Sequence, residues 1–143
     1  MVTLIGMGSG KWEALSEQAQ QAVRSAGLVF GAKRLLAGLP ADCTARQFAL
    51  YQPADILETL AQNPGQDAVV LYSGDTGFYS GASGLLTPLR ALGIPARVYP
   101  GVSSIQLLSA ALGRPWQDWR LVSAHGCACD PVAECMMNRS VFF

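Results

Sequence analysis

Charge is scarce in this chain. Only 14% of its 143 residues are Asp, Glu, Lys or Arg, and ten basic residues cancel ten acidic ones. So sparse and balanced a set argues against electrostatic capture of nucleic acid or of an anionic membrane. Histidine is scarcer still, with His125 the sole example. A lone loop histidine is more often structural or exposed than catalytic, and no Ser/His/Asp constellation assembles around it. No apolar run approaches the ~20 residues that a membrane-spanning helix needs. Met1-Val2-Thr3-Leu4-Ile5 lacks a basic leader and runs straight into glycines, so it does not read as a secretory signal. These absences lead us to expect a cytoplasmic protein. Half of the residues are apolar, which excludes disorder and leaves room for one domain with a real core.

Cysteine is limited to Cys43, Cys127, Cys129 and Cys135, which should be reduced in the cytoplasm. His125-Gly126-Cys127-Ala128-Cys129 followed by Cys135 invites a zinc reading, but the spacing opposes it. Zinc sites favour cysteine pairs separated by at least two residues, and here a second paired half is missing. We expect no metal. Phosphate-binding signatures are missing too. Gly6-Met7-Gly8-Ser9-Gly10 imitates a dinucleotide fingerprint, but Lys11 stands where the third glycine belongs, and no acidic ribose partner follows at the right distance.

Glycine, by contrast, is concentrated where apolar runs end. Val2–Ile5 reads as a buried strand ending at Gly6-Met7-Gly8-Ser9-Gly10. Leu15, Ala19, Ala22, Val23 and Ala26 lie at helical spacing, with Ser16 as N-cap and Gly27 just beyond the end. Leu28-Val29-Phe30 is a second strand, followed by glycine and then a helix from Lys33 to Ala37. Arg46–Leu50 reads as extended, and Pro53 opens a helix that Asn63-Pro64-Gly65 ends. Ala68–Tyr72 is a strand leading into Ser73-Gly74-Asp75-Thr76-Gly77-Phe78-Tyr79-Ser80-Gly81. Pro88 inside the next helical stretch, Ala82–Leu92, predicts a late start or a kink. Ala96–Tyr99 is a further strand, followed by Pro100-Gly101-Val102-Ser103-Ser104 and an apolar helix from Ile105 to Leu112.

Strands alternating with helices predict an α/β fold, a mostly parallel sheet covered by helices. Parallel strands present their carboxyl ends on one edge, so the glycine loops after Ile5, Tyr72 and Tyr99 should converge there. Asp75 is the only carboxylate of the central loop. It can cap a turn, hydrogen-bond a ribose or an ammonium, or act as a general base, and composition alone leaves these open. Ser103 and Ser104 either cap the following helix or offer hydroxyls and N–H groups to a ligand.

Past Gly113 the texture changes. Trp116, Asp118 and Trp119 precede a strand at 120–123, a short helix around 131–137, and Val141-Phe142-Phe143. An apolar strand at the very end of a chain leads us to expect a truncated second domain. The expected organisation is an N-terminal domain over 1–113, a linker over 114–119, and the start of a C-terminal domain over 120–143.

Several segments together resemble the tetrapyrrole (corrin/porphyrin) methylase superfamily. They are Ile5–Gly10, Leu71–Ser80, Pro100–Gln106, Gly113-Arg114-Pro115-Trp116-Gln117-Asp118-Trp119 and Ser123-Ala124-His125-Gly126. Their order and spacing fit from end to end, with Thr76 where many members have proline. The last two segments point to the precorrin-6Y/cobalt-precorrin-7 branch. The resemblance implies two α/β domains and a cleft that holds a folded S-adenosylmethionine. It implies C-methylation of a precorrin or cobalt-precorrin at corrin-ring carbon 5, within cobalamin biosynthesis. Ser9, Gly74, Asp75, Phe78, Ser103, Ser104 and Ile105 would contact the cofactor, and Gly6, Met7 and Gly8 would border a substrate trough. A homodimer of the full-length protein is implied as well, together with a fused or separate partner that methylates carbon 15 and decarboxylates. A truncated chain that binds cofactor without turnover remains the alternative, and no catalytic side chain is assigned.

Overall fold

The computed structural model describes residues 1–123, 128–137 and 140–143. Five strands form one parallel sheet: β1 (Val2–Gly6), β2 (Leu28–Phe30), β3 (Arg46–Phe48), β4 (Ala68–Tyr72) and β5 (Ala96–Tyr99), in the order β3-β2-β4-β1-β5. Between them run helices α1 (Glu17–Ser25), α2 (Lys33–Leu36), α3 (Pro53–Gln62) and α4 (Ala82–Ala91). Strands β2 and β4 read as apolar runs, and β1 as one broken only by Thr3, because helices cover both faces of the sheet.

The period of two sorts their side chains into two cores. Ile5, Val29, Val69 and Leu71 pack with Ala19 and Val23 of α1 and Leu35 and Leu36 of α2. On the opposite face Val2, Leu4, Leu28, Phe30 and Val70 pack with Ile56 of α3 and Leu85 and Leu89 of α4. Each fully buried Leu or Phe contributes about 1.5–3 kcal/mol, so these two layers dominate the stability of the sheet.

Local signals set the helix ends. Ser16 caps α1, its Oγ accepting the Ala19 N–H at 3.3 Å. Pro53 occupies the first turn of α3, where its missing N–H costs nothing. Helix α4 runs from Ala82 through Pro88, so the late start expected from that proline does not occur. Pro88 instead leaves the Gly84 carbonyl without its usual i+4 donor.

The register places β1 beside β4 from Val2–Ala68 to Gly6–Tyr72, and beside β5 from Val2–Ala96 to Ile5–Tyr99. The helix after β1 covers one face and the helix after β4 covers the other. The carboxyl edge of the β1–β4 pair is therefore the topological switch point of the sheet, where open α/β folds bind ligands.

Packing divides the chain into Met1–Ser103 and Ser104–Phe143, ten residues before the boundary expected at Gly113. The second unit holds α5 (Ser104–Leu112), β6 (Arg120–Leu121), α6 (Pro131–Cys135) and β7 (Val141–Phe142). Asp130 caps α6 by accepting the Val132 and Ala133 N–H groups at 3.0 and 3.1 Å. The terminal apolar strand is paired, since β7 lies parallel to β6 with Arg120 opposite Val141 and Leu121 opposite Phe142. Arg120 grips Glu134, which holds the Glu134 carboxyl below its ordinary range through hydrogen bonding and charge. Among the described residues, no helix is long and apolar enough to cross a membrane.

Candidate functional site

Three loops leave the carboxyl edge of the sheet and meet over it. The β1 loop and the β4 loop are joined by backbone. Met7 N–H donates to the Tyr72 carbonyl at 2.8 Å, and Gly8 and Gly74 each donate to the other's carbonyl at 3.0 Å. Parallel pairing of β1 with β4 thus turns into an antiparallel bridge between their loops. The reversal needs left-handed backbone, and glycine supplies it, with φ of +55° at Gly8 and +63° at Gly74.

The β5 loop crosses the other two at closest approach. A Cβ on Gly101 would stand 2.1 Å from the Gly74 carbonyl oxygen and 2.6 Å from Gly6. A Cβ on Gly6 would meet Gly101 N at 2.6 Å. No side chain fits at either position. Val102 lies over Gly8, and Ser103 over Gly74 with its Cα 4.0 Å from the Cβ position there.

Asp75 ties the junction together. Its Oδ2 accepts the Gly77 N–H at 3.0 Å, closing a turn within the β4 loop. Its Oδ1 accepts the Gly101 N–H at 3.0 Å, reaching across to the β5 loop. Thr76 adds a weaker link, its hydroxyl donating to the Tyr99 carbonyl at 3.4 Å. Asp75 is half-buried, and each carboxylate oxygen keeps a lone pair for a further donor. Phe78 packs edge-to-face on Tyr79 at 4.8 Å between ring centroids, and Tyr79 itself sits at a φ of +46°.

The structure brings Gly6, Gly8, Gly74, Asp75 and Ser103 into this one junction, with Ser9 exposed at the tip of the β1 loop. Met7, expected at the trough border, buries its side chain completely in the core beneath α1 and α2, which leaves its backbone for that role. The residue alternation of β1 continues through it and sends it to the same face as Ile5. Gly6 is likewise buried, at a crossing point of backbones. Ser104 and Ile105 open α5 in the second unit, with Ser104 exposed and Ile105 buried. His125, Gly126 and Cys127, and with them the Ser123-Ala124-His125-Gly126 motif, fall on or across residues outside the described set. Cys43, Cys129 and Cys135 are free thiols. Among the described residues, no three His, Cys, Asp or Glu side chains are grouped to hold a metal ion.

Two residues escaped the sequence reading. Arg34, at the start of α2, donates from its guanidinium to the Ser73 hydroxyl at 2.8 Å and so reaches the central loop. Its signal was the glycine that also ends β2, a fourth strand end on the same edge. Tyr72, the last residue of β4, buries its hydroxyl with no hydrogen-bond partner among the described residues. Burial pushes that phenol up to about 12 from its ordinary 10.0.

The donor set suits a folded organic cofactor such as S-adenosylmethionine. Glycines at Gly8 and Gly74 open the backbone, hydroxyls stand at Ser9, Thr76 and Ser103, and a single carboxylate with spare lone pairs sits at the centre.

Comparison with known proteins agrees with this geometry. The family model for tetrapyrrole (corrin/porphyrin) methylases matches residues 1–138. The chain is 35% identical over 128 residues to the cobalt-precorrin-7 C(5)-methyltransferase of Salmonella typhimurium, covering 88% of this chain and 62% of that protein. It is 32% identical over 127 residues to the decarboxylating precorrin-6Y C(5,15)-methyltransferase of Sinorhizobium, covering 87% of this chain and 30% of that one. Its fold matches the crystal structure of the precorrin-6Y methylase from Archaeoglobus fulgidus with a TM-score of 0.70 at 18% identity. That match covers 99% of this chain and 71% of the other. The methyltransferase CobJ superposes with a TM-score of 0.74 at 24% identity, covering 92% of this chain and 59% of that one. The chain therefore spans less than two thirds of the length of the curated relatives named here. With the family model matched over residues 1–138, the chain belongs to the tetrapyrrole (corrin/porphyrin) methylase family.

Proposed function

We propose that this chain belongs to an S-adenosylmethionine-dependent C-methyltransferase that methylates carbon 5 of a precorrin or cobalt-precorrin in cobalamin biosynthesis, in the cytoplasm. The observation that carries the reading is the junction of three glycine loops at the switch point, tied by Asp75 to Gly101. The naming of the relatives at 35% and 32% identity supports the substrate class.

Bound S-adenosylmethionine would supply an activated methyl group on a sulfonium, so the protein need provide no nucleophile. The residues of this chain bind, orient and exclude water. Gly74 lets the central loop approach the cofactor closely. Asp75 uses its spare lone pairs to orient a hydroxyl or ammonium of the ligand. Phe78 gives an apolar wall and Ser103 a hydroxyl, and Ser104 and Ile105 are proposed as cofactor contacts by family resemblance. Gly6, Met7 and Gly8 border the tetrapyrrole, with Ser9 at the edge between it and the cofactor.

A second reading is a cofactor-binding fragment without turnover. It is favoured by the 62% share of the Salmonella relative that this chain spans. Full-length protein is proposed as a homodimer. Relatives named for carbon 5 alone and for carbons 5 and 15 both match, so the partner that methylates carbon 15 and decarboxylates is proposed as either separate or fused.

Calorimetric titration of the 143-residue chain with S-adenosylhomocysteine, paired with a labelled-methyl transfer assay on a precorrin substrate, tests both readings. Binding with transfer supports the enzyme, and binding without transfer supports the fragment. A folded chain that binds no S-adenosylhomocysteine sinks both.

A further inference from the structure

The guanidinium of Arg34 is held out at the same edge by features that nothing in the cofactor site explains. Leu35 and Leu36 anchor the short helix α2 in the core, which fixes where Arg34 emerges. The turn after α2 presses against the β1 loop, and a Cβ on Gly38 would stand 3.0 Å from the Gly10 carbonyl oxygen. The arginine then lies across Gly10. Its Nη1 is 3.1 Å from where a Cβ would be, and Gly10 itself has a φ of +89°, a backbone conformation that favours glycine. Nη2 reaches the Ser73 hydroxyl at 2.8 Å.

A hydroxyl does not neutralise a guanidinium. Arg24 pairs with Asp42 and Arg120 with Glu134, whereas Arg34, like Arg46, Arg90, Arg97 and Arg114, pairs with no carboxylate among the described residues; what sets it apart is its place at the junction. Its remaining N–H donors form a planar fork at an exposed position, the geometry that grips carboxylates in two-point fashion. Lys11 and Lys33, the chain neighbours of Gly10 and Arg34, are also exposed, so positive charge gathers on this side of the junction.

We propose that Arg34 is a substrate-binding residue that grips a side-chain carboxylate of a polycarboxylated tetrapyrrole and sets its register over the glycine junction. The proposal rests on the methyltransferase reading above, because precorrins carry acetate and propionate side chains. Ser73 holds the fork in place from the β4 loop. Ligands lacking ionised carboxylates lose this contact.

The probe is uroporphyrin, followed by its own fluorescence at low and high salt, with its methyl ester as the uncharged control. Arg34→Ala is expected to weaken uroporphyrin binding by about tenfold or more, the scale of lost charge-assisted hydrogen bonds. Arg34→Lys recovers part of the loss, Ser73→Ala loses less than Arg34→Ala, and the ester shows no dependence on residue 34. S-adenosylhomocysteine affinity stays within about twofold in all of them, because Arg34 touches no residue assigned to the cofactor. Circular dichroism confirms the fold, and Arg34→Gln replaces the alanine variant should that one unfold. Equal uroporphyrin binding by wild type and Arg34→Ala overturns the proposal. So does a Ser73→Ala loss that matches Arg34→Ala, which would make the arginine a loop staple, or a wild-type chain that ignores uroporphyrin. Failure of S-adenosylhomocysteine to bind strikes the methyltransferase reading separately.

Discussion

Asp75 Oδ1 accepts the backbone N–H of Gly101 at 3.0 Å, and this one bond links two loops whose glycines stand closer than any side chain would allow. The carboxylate thus has a structural task before any ligand arrives. Both its oxygens hold backbone donors, and both keep capacity to hold more.

Asp75→Ala removes an acceptor from two N–H groups at once. Stability should fall by about 1–3 kcal/mol, measured by urea denaturation. Asp75→Asn keeps one acceptor oxygen and should fall by less. Calorimetry should show S-adenosylhomocysteine affinity reduced about tenfold in the alanine variant. Unchanged affinity would remove Asp75 from the cofactor site and leave it as a strap between loops.

Gly101→Ala and Gly6→Ala place a methyl group inside neighbouring backbone, at 2.1 and 2.6 Å from the nearest atom. Backbone cannot swing aside as a flexible side chain can. Each variant should lose about 3 kcal/mol or more, or fail to fold, as read from denaturation midpoints and expression as soluble protein. A midpoint within experimental scatter of wild type would show that the loops are not crossed as described.

Gly84→Ala should act in the opposite direction. Gly84 lies inside α4, and its added Cβ would make only ordinary contact with Pro53 Cγ at 3.7 Å. Removing glycine's extra freedom from a helix interior should stabilise by about 0.5–1 kcal/mol. A loss in the measured melting temperature would contradict it.

Tyr72 carries a buried hydroxyl without a partner, so Tyr72→Phe should be neutral or stabilising by about 1 kcal/mol. The sign of its pH effect follows from the raised phenol. Below pH 10 the tyrosine is neutral in both folded and unfolded chains, and the full stability is present. Between 10.0 and about 12 the unfolded chain ionises first, so stability falls with rising pH and levels off above that window. The loss is at most about 2–3 kcal/mol, and it should appear in the wild-type-minus-variant difference in alkaline denaturation curves, because Tyr72→Phe has no phenol to titrate. A difference that stays flat across the window would show that the phenol is not buried.

Much of the sheet was legible from the residues because burial on both faces writes itself as apolar runs. Val2–Ile5, Leu28–Phe30 and Ala68–Tyr72 are strands where those runs are. Ser16 and Pro53 marked helix starts for local reasons that tertiary packing did not override. The convergence of three glycine loops was legible too, since parallel strands share a carboxyl edge. What lay beyond reach was direction and partnership. Met7 sits in a glycine-rich motif, yet strand alternation carries it into the core. The Asp75–Gly101 bond joins residues 26 positions apart, and the Arg34–Ser73 bond residues 39 apart. Neither pairing has a periodicity to betray it. Pro88 did not delay the start of α4, which runs from Ala82 with Leu85 and Leu89 buried in the core.

Gly8 and Gly74 give and receive one backbone hydrogen bond each. That reciprocity makes the β1 and β4 loops a single mechanical part. Neither can lift from the sheet without breaking both bonds, so the edge that would face the tetrapyrrole and the edge that would face the cofactor move together. Deuterium should therefore enter the Gly8 and Gly74 amides at matched rates, and a ligand gripping either loop should slow both.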